Sequence, residues 1–183
     1  AYAQSPKKFI FELLKITVIV VAVVVPIRYF LFEPVYVDGS SMEPNFHDYE
    51  YILVDKITYR FEEPQRGDVI VANIPEHDGF LIKRLIGLPG ERVSISDGAV
   101  TIHNNEFPDG FVLNESYLGQ GISTSGTYNI VLDNNEYFFM GDNRPVSLDG
   151  RYYGPVTIDE IEGRAWFRIW PFDRIDNFSA PEY

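Results

Sequence analysis

The chain has 183 residues, no cysteine and a formal net charge of −12. That length holds one globular domain with a sizeable core plus something extra at an end, and 45% apolar residues argue against wholesale disorder. The missing cysteines exclude disulfides, thiol catalysis and cysteine-ligated metal, and so acidic a chain repels phosphate backbones, so no nucleic-acid partner is expected.

The charge is uneven. Residues 1–33 carry Lys7, Lys8, Lys15 and Arg28 against Glu12 and Glu33, a balance of +2, which leaves −14 for the remainder. Phe9 to Phe32 is predominantly apolar, with Ile16–Ile27 reading ITVIVVAVVVPI, and it is long enough to span a bilayer as a single helix. Pro26 is expected to kink that helix near its C-terminal end. Aromatics at positions 29, 30 and 32 suit a membrane interface, and the charged residues near the ends can reach out of it. A buried strand, given the β-branched residues, and a cleavable signal peptide are the competing readings. The second is disfavoured because FEPVYVDG follows, without a small-x-small cleavage site. Residues 1–33 are therefore read as an uncleaved anchor with a cytoplasmic N-terminus, and 34–183 as a β-rich domain on the far side.

Beyond residue 34 the sequence changes to short β-branched and aromatic runs. Candidate strands are Tyr51–Val54, Val69–Ile74, Phe80–Gly87, Arg92–Ser96, Ala99–His103, Tyr128–Leu132, Tyr137–Met140 and Ala165–Trp170. Asp97-Gly98, Asn104-Asn105, Leu88-Pro89-Gly90 and Asp133-Asn134-Asn135 mark turns between them. No long segment here has helical periodicity, so the expected fold is all-β: folded, barrel-like antiparallel sheets behind one transmembrane helix. Residues 105–127, rich in Gly, Ser, Asn and Thr, read as a surface loop or insertion.

Three segments combine turn formers with reactive side chains. In Val37-Asp-Gly-Ser-Ser-Met-Glu-Pro-Asn45, Gly39 permits close backbone approach, and a loop serine can offer its hydroxyl and its own N–H together for acyl transfer. In Phe80–Gly90, a strand over Leu81–Ile86 puts Lys83 with Leu81 and Leu85 on one face and Arg84 with Ile82 and Ile86 on the other. Apolar neighbours on both faces suggest burial, which lowers the pKa of an amine and suits it to act as a general base. In Met140-Gly-Asp-Asn-Arg-Pro-Val-Ser-Leu-Asp-Gly-Arg151, the two acids Asp142 and Asp149 and the two arginines Arg144 and Arg151 can pair and stiffen a loop. Ser147 in that loop can offer a hydroxyl to a neighbouring amine. Taken singly, each segment also reads as an ordinary solvated loop or strand end.

The order SSMEP, KRLIGLPGE and GDNRPVSLDGRYYG behind one apolar segment resembles the bacterial type I signal peptidases, from the anchor to about Trp170. The resemblance implies Ser41 as nucleophile, Lys83 as general base, Ser147 steering the lysine amine, and Asp142, Asp149 and Arg151 as supporting ion pairs, with Arg84 structural. It implies an oxyanion hole built on the N–H of Ser41. Gly39 stands where part of the family has a second hydroxyl donor, and Gly150 and Pro145-Val146 also depart from the common pattern. The implied substrate is the signal peptide of an exported preprotein, cut after small residues at an Ala-x-Ala site. It would add as a strand near Val35–Gly39 and Phe80–Lys83, with Val37, Met42, Leu81 and Ile82 lining the pockets. No cofactor, no metal and no obligate protein partner is implied; the bilayer is, with the location the bacterial plasma membrane.

Two other readings use the same residues. A self-cleaving repressor peptidase would need an Ala-Gly or Cys-Gly site in its own chain, and neither dipeptide is present. A catalytically inactive, membrane-tethered binding module of the same fold would keep the architecture and lose the chemistry, although Ser41 and Lys83 are both present. His47, His77 and His103 lack metal-ligand spacing, and His47 is the alternative base for Ser41.

Overall fold

The computed structural model describes residues 6–75, 77–181 and 183. Helix α1 runs Pro6–Phe30 and is long and apolar enough to cross a membrane, with none of its apolar stretch buried against the rest of the protein. The first five residues of the expected anchor, and the side chain of Tyr29, lie outside the described residues. The β-branched run is helical because each valine or isoleucine costs only a few tenths of a kcal/mol against better helix formers, about 0.5 at most. The helix continues through Pro26 to Phe30.

Twelve strands follow among the described residues. They are β1 (Phe32–Tyr36), β2 (Tyr51–Asp55), β3 (Val69–Ala72), β4 (Leu81–Gly87), β5 (Arg92–Ser96), β6 (Ala99–His103), β7 (Phe111–Val112), β8 (Tyr128–Val131), β9 (Glu136–Met140), β10 (Val156–Thr157), β11 (Ile161–Trp170) and β12 (Asp176–Asn177). One short helix, α2 (Gly150–Tyr153), is capped by Asp149, whose side chain accepts from the N–H of Arg151. The large sheet has the order β1-β2-β11-β3-β4-β9-β10 with β12 beside β11, all antiparallel, and it curls into a half-barrel. β3 and β4 are buried along their whole length, as the apolar residues on both faces of each require. One face of the large sheet packs Val37, Met42, Phe46, Ile52, Val54 and Ile82; the other packs Ile70, Leu81, Leu85, Tyr137 and Phe139.

The smaller sheet has the order β7-β6-β5-β8. Its β5–β6 hairpin pairs Ser96 with Ala99 and turns through Asp97 and Gly98, both at positive φ, the geometry that matches the twist of the flanking strands. The segment 105–127 is only in part a surface loop: it contributes β7 and the buried Leu113 and Thr124, because its few apolar side chains close the cluster over β5 and β6.

Among the described residues β1 has β2 as its only strand partner, and β4 pairs with β9 only from Arg84 onward, leaving Leu81–Lys83 without a neighbouring strand on that side. These edges wall a groove of about 650 Å³.

Candidate active site

Ser41 stands in a loop tied down at both ends. The N–H of Val37 donates to the carbonyl of Glu50, and that of Tyr49 to the carbonyl of Val37, so the chain returns beside β1. Gly39 holds φ at +94°, a conformation that L side chains rarely adopt, and its N–H donates to Asp48 Oδ1 at 2.9 Å. That N–H is therefore occupied and does not serve an oxyanion. Past the serine, Met42 and Phe46 are buried in the core and pin the far side of the loop.

Lys83 projects from β4 toward this loop. It is 3% exposed, and its Nζ donates to Ser41 Oγ at 2.8 Å and to the carbonyl of Ile82 at 3.0 Å. Burial lowers its pKa to about 8, against the opposing pull of Asp149 and Asp142. At pH 7 roughly one molecule in ten then carries the neutral amine, far more than for a lysine in water.

The loop after β9 braces both residues. Asn143 donates its N–H to the carbonyl of Ser41 and its side-chain amide to that of Ser40, both at 3.0 Å. Asp142 takes two bonds from the Arg84 guanidinium, at 2.8 and 2.6 Å, and one from Asn45. Asp149 pairs with Arg151 at 2.9 Å and accepts the N–H of Gly141; burial opposes its ionisation, but these donors hold its pKa below the usual range. Within this loop only Asp149 and Arg151 pair with each other, since Asp142 reaches Arg84 and the buried Arg144 reaches Glu115, Thr124 and the Tyr117 hydroxyl. Buried bidentate pairs of this kind repay desolvation only when every partner is in place. Gly141 is the contact point: a Cβ there would collide with Ser147 Oγ and meet the carbonyl oxygen of Ser41 at 2.5 Å.

Ser41, Lys83, Gly39, Val37, Met42, Leu81 and Ile82 all line the one groove. The bond implied between Ser147 and the lysine amine is not formed. Ser147 Oγ is buried against Gly141 and makes no hydrogen bond of normal geometry, although it lies close enough to Asp149 to help lower that carboxyl's pKa. His47 faces Glu43 at 3.7 Å, while Ser41 Oγ takes its hydrogen bond from Lys83. Asn45, Asn143, Glu115 and Tyr117 were not singled out from the sequence. The two asparagines lie inside segments read for other residues, whereas Glu115 and Tyr117 carry no local signal.

A serine hydroxyl held against an enclosed amine, in a groove with open strand edges, is a geometry for acyl transfer, the chemistry of a serine protease. Residues 10–170 match the family described as signal peptidase, peptidase S26, and the chain belongs to that family. A probable signal peptidase I-2 of Synechocystis is 35% identical, covering 94% of this chain and 78% of its own. Signal peptidase I P of Bacillus subtilis subsp. natto is 37% identical, covering 92% and 93%. A solved signal peptidase I from Enterococcus faecalis is 31% identical over 56% of this chain and 97% of that one, with a TM-score of 0.47. The family comprises membrane-associated serine proteases that remove signal peptides.

Proposed function

We propose that this chain is a membrane-bound endopeptidase that removes signal peptides from exported preproteins, with Ser41 as nucleophile and Lys83 as general base. The 2.8 Å contact between Ser41 Oγ and the enclosed Lys83 Nζ carries the reading. Neutral Lys83 accepts the hydroxyl proton as Ser41 Oγ attacks the scissile carbonyl carbon, and the tetrahedral oxyanion lies by the N–H of Ser41. Lys83 returns the proton to the leaving amine as the C–N bond breaks. Water, deprotonated in turn by Lys83, releases the acyl group and restores Ser41.

The substrate adds as a strand between the open edge of β1 and that of Leu81–Lys83. Val37, Met42 and Ile82 close the wall behind it, so side chains that meet this wall must be small, as in an Ala-x-Ala site. Helix α1 is the anchor, with Lys7, Lys8 and Lys15 on the cytoplasmic side of a bacterial plasma membrane and the acidic domain outside.

Cleavage of a preprotein with an Ala-x-Ala site by the full chain in proteoliposomes tests this. The wild type should cut after the second alanine, and folded Ser41→Ala and Lys83→Met variants should not. An inert wild type would leave the membrane-tethered binding module as the reading; a competent Lys83→Met would move the base elsewhere.

A further inference from the structure

The segments that carry Ser41 and Lys83 each serve two spaces. Ser41, Met42 and Lys83 line the groove, whereas Asn45, Phe46 and Arg84, their close neighbours in sequence, line a second cavity of about 420 Å³. On β4 this follows from alternation, which sends Lys83 and Arg84 to opposite faces. Residues 176–181 form another part of the lining of the second cavity. They lie beyond residues 10–170, which match the peptidase family, and no catalytic step uses them.

This segment is fastened to the body of the domain at several points. β12 pairs with β11, and the N–H of Phe178 donates to the carbonyl of Trp166 at 3.0 Å. The Phe178 ring packs on the Phe46 ring at 4.2 Å and lies 5.1 Å from the Arg168 guanidinium. Pro181 and Tyr183 pack against Gly67, where an added Cβ would stand 2.6 Å from Pro181 Cδ and 2.9 Å from Tyr183 Cε2. Tyr183 also meets Tyr117 edge-on at 6.4 Å, and Tyr117 carries the Arg84 guanidinium over its ring at 4.2 Å.

The groups it touches belong to one chain of polar contacts. Buried Arg168 bonds Glu50 and the carbonyl of Asn45. Asn45 donates to Asp142 and to the carbonyl of Tyr117, and Asp142 holds Arg84, the residue after the base. These contacts tie the serine loop to β4 and to the loop that braces both, with Phe178 at the Arg168 end and Tyr183 at the Tyr117–Arg84 end. Aromatic rings over charged hydrogen bonds keep water from competing for them. We infer that Phe178 and Tyr183 are positioning residues, parts of a strap that holds the Ser41 loop in register with the Lys83 strand from behind. This rests on the peptidase reading above. Among the described residues of the strap none lines the groove, so the strap governs the rate of acyl transfer and not the binding of the peptide.

The experiment is cleavage of a preprotein with an Ala-x-Ala site by the full chain in proteoliposomes, well below the melting temperature of every variant. In Phe178→Ser and in Tyr183→Ser, kcat should fall by about 10-fold while KM stays within about 2-fold. Phe178→Tyr keeps the ring and should hold kcat within about 2-fold of the wild type. Ile95→Ala in the small sheet is the control for stability alone: it should lower the melting temperature and keep kcat. Should Phe178→Ser fold poorly, Tyr183→Ser, at a residue 40% exposed, gives the same test. Unchanged kcat in the folded serine variants, a rise in KM alone, no recovery in Phe178→Tyr or an equal loss of kcat in Ile95→Ala overturns the strap and leaves the peptidase reading intact. A wild type that does not cut the preprotein overturns the peptidase reading, and the strap's role with it.

Discussion

The two sheets follow the same antiparallel rules and enclose different interiors. Under the small sheet, Val93, Ile95, Val100, Ile102 and Leu132 make a wholly apolar cluster. The large sheet and its adjoining loops bury Lys83, Arg84, Arg144 and Arg168 with Glu50, Asp142 and Asp149. Three of those four cations have a carboxylate at ion-pair distance: Arg84 with Asp142, Arg144 with Glu115, Arg168 with Glu50. Among the described residues Lys83 has none. Burial without a counter-ion pushes a proton off an amine, so the one cation left unbalanced is the one whose pKa falls. The small sheet is an ordinary core; the large one tolerates charge because all but one of its cations are answered.

That contrast can be broken in four ways, from the largest effect down. Lys83→Met should lower kcat/KM by on the order of 10⁴-fold. Its melting temperature should hold or rise, because an apolar side chain replaces a desolvated amine. A drop of several degrees would mean that the lysine is stabilising and the contrast is wrong. Asp142→Asn should cost about 3–5 kcal/mol in chemical denaturation, since it leaves Arg84 buried and half-satisfied, and it should depress kcat as well. Ile95→Ala in the small sheet should cost about 2–5 kcal/mol of stability through a cavity while the folded enzyme keeps its kcat. Equal effects of these two on kcat would erase the distinction between the sheets. The smallest effect is on pH. Lys83 must be neutral to accept a proton, so kcat/KM should climb about tenfold per unit below pH 8 and level off above it. A profile flat from pH 6 to 9 would exclude this lysine as the base.

The parts legible in the sequence were those with local chemistry. Arg92–Ser96 and Ala99–His103 are bounded by Asp97-Gly98, whose turn leaves the strands no other register, and their limits are as expected. Lys83 on a doubly buried strand followed from the apolar residues on both faces of β4. β1 escaped notice because it follows the apolar helix directly and contains Pro34, which an edge strand accommodates. β11 begins at Ile161, not Ala165, because Glu162, Gly163 and Arg164 break the alternation and the strand carries bulges beside both neighbours. The braces from Glu115 and Tyr117 were invisible for a different reason. Their partners Arg144, Asn45 and Arg84 lie 27 to 72 positions away, and a polar composition hides polar burial.

Only Leu31 separates the end of α1 from the start of β1, and both of its backbone polar groups are engaged. Its N–H donates to the carbonyl of Ile27 and its carbonyl accepts from the N–H of Lys56. The joint has no slack, so it acts as a crank and not as a hinge: rotation of the helix about its axis becomes rotation of β1. One residue inserted there would turn β1 over, sending Tyr36 to where Val37 packs, and the spacing between helix and groove is thus counted in whole pairs of residues.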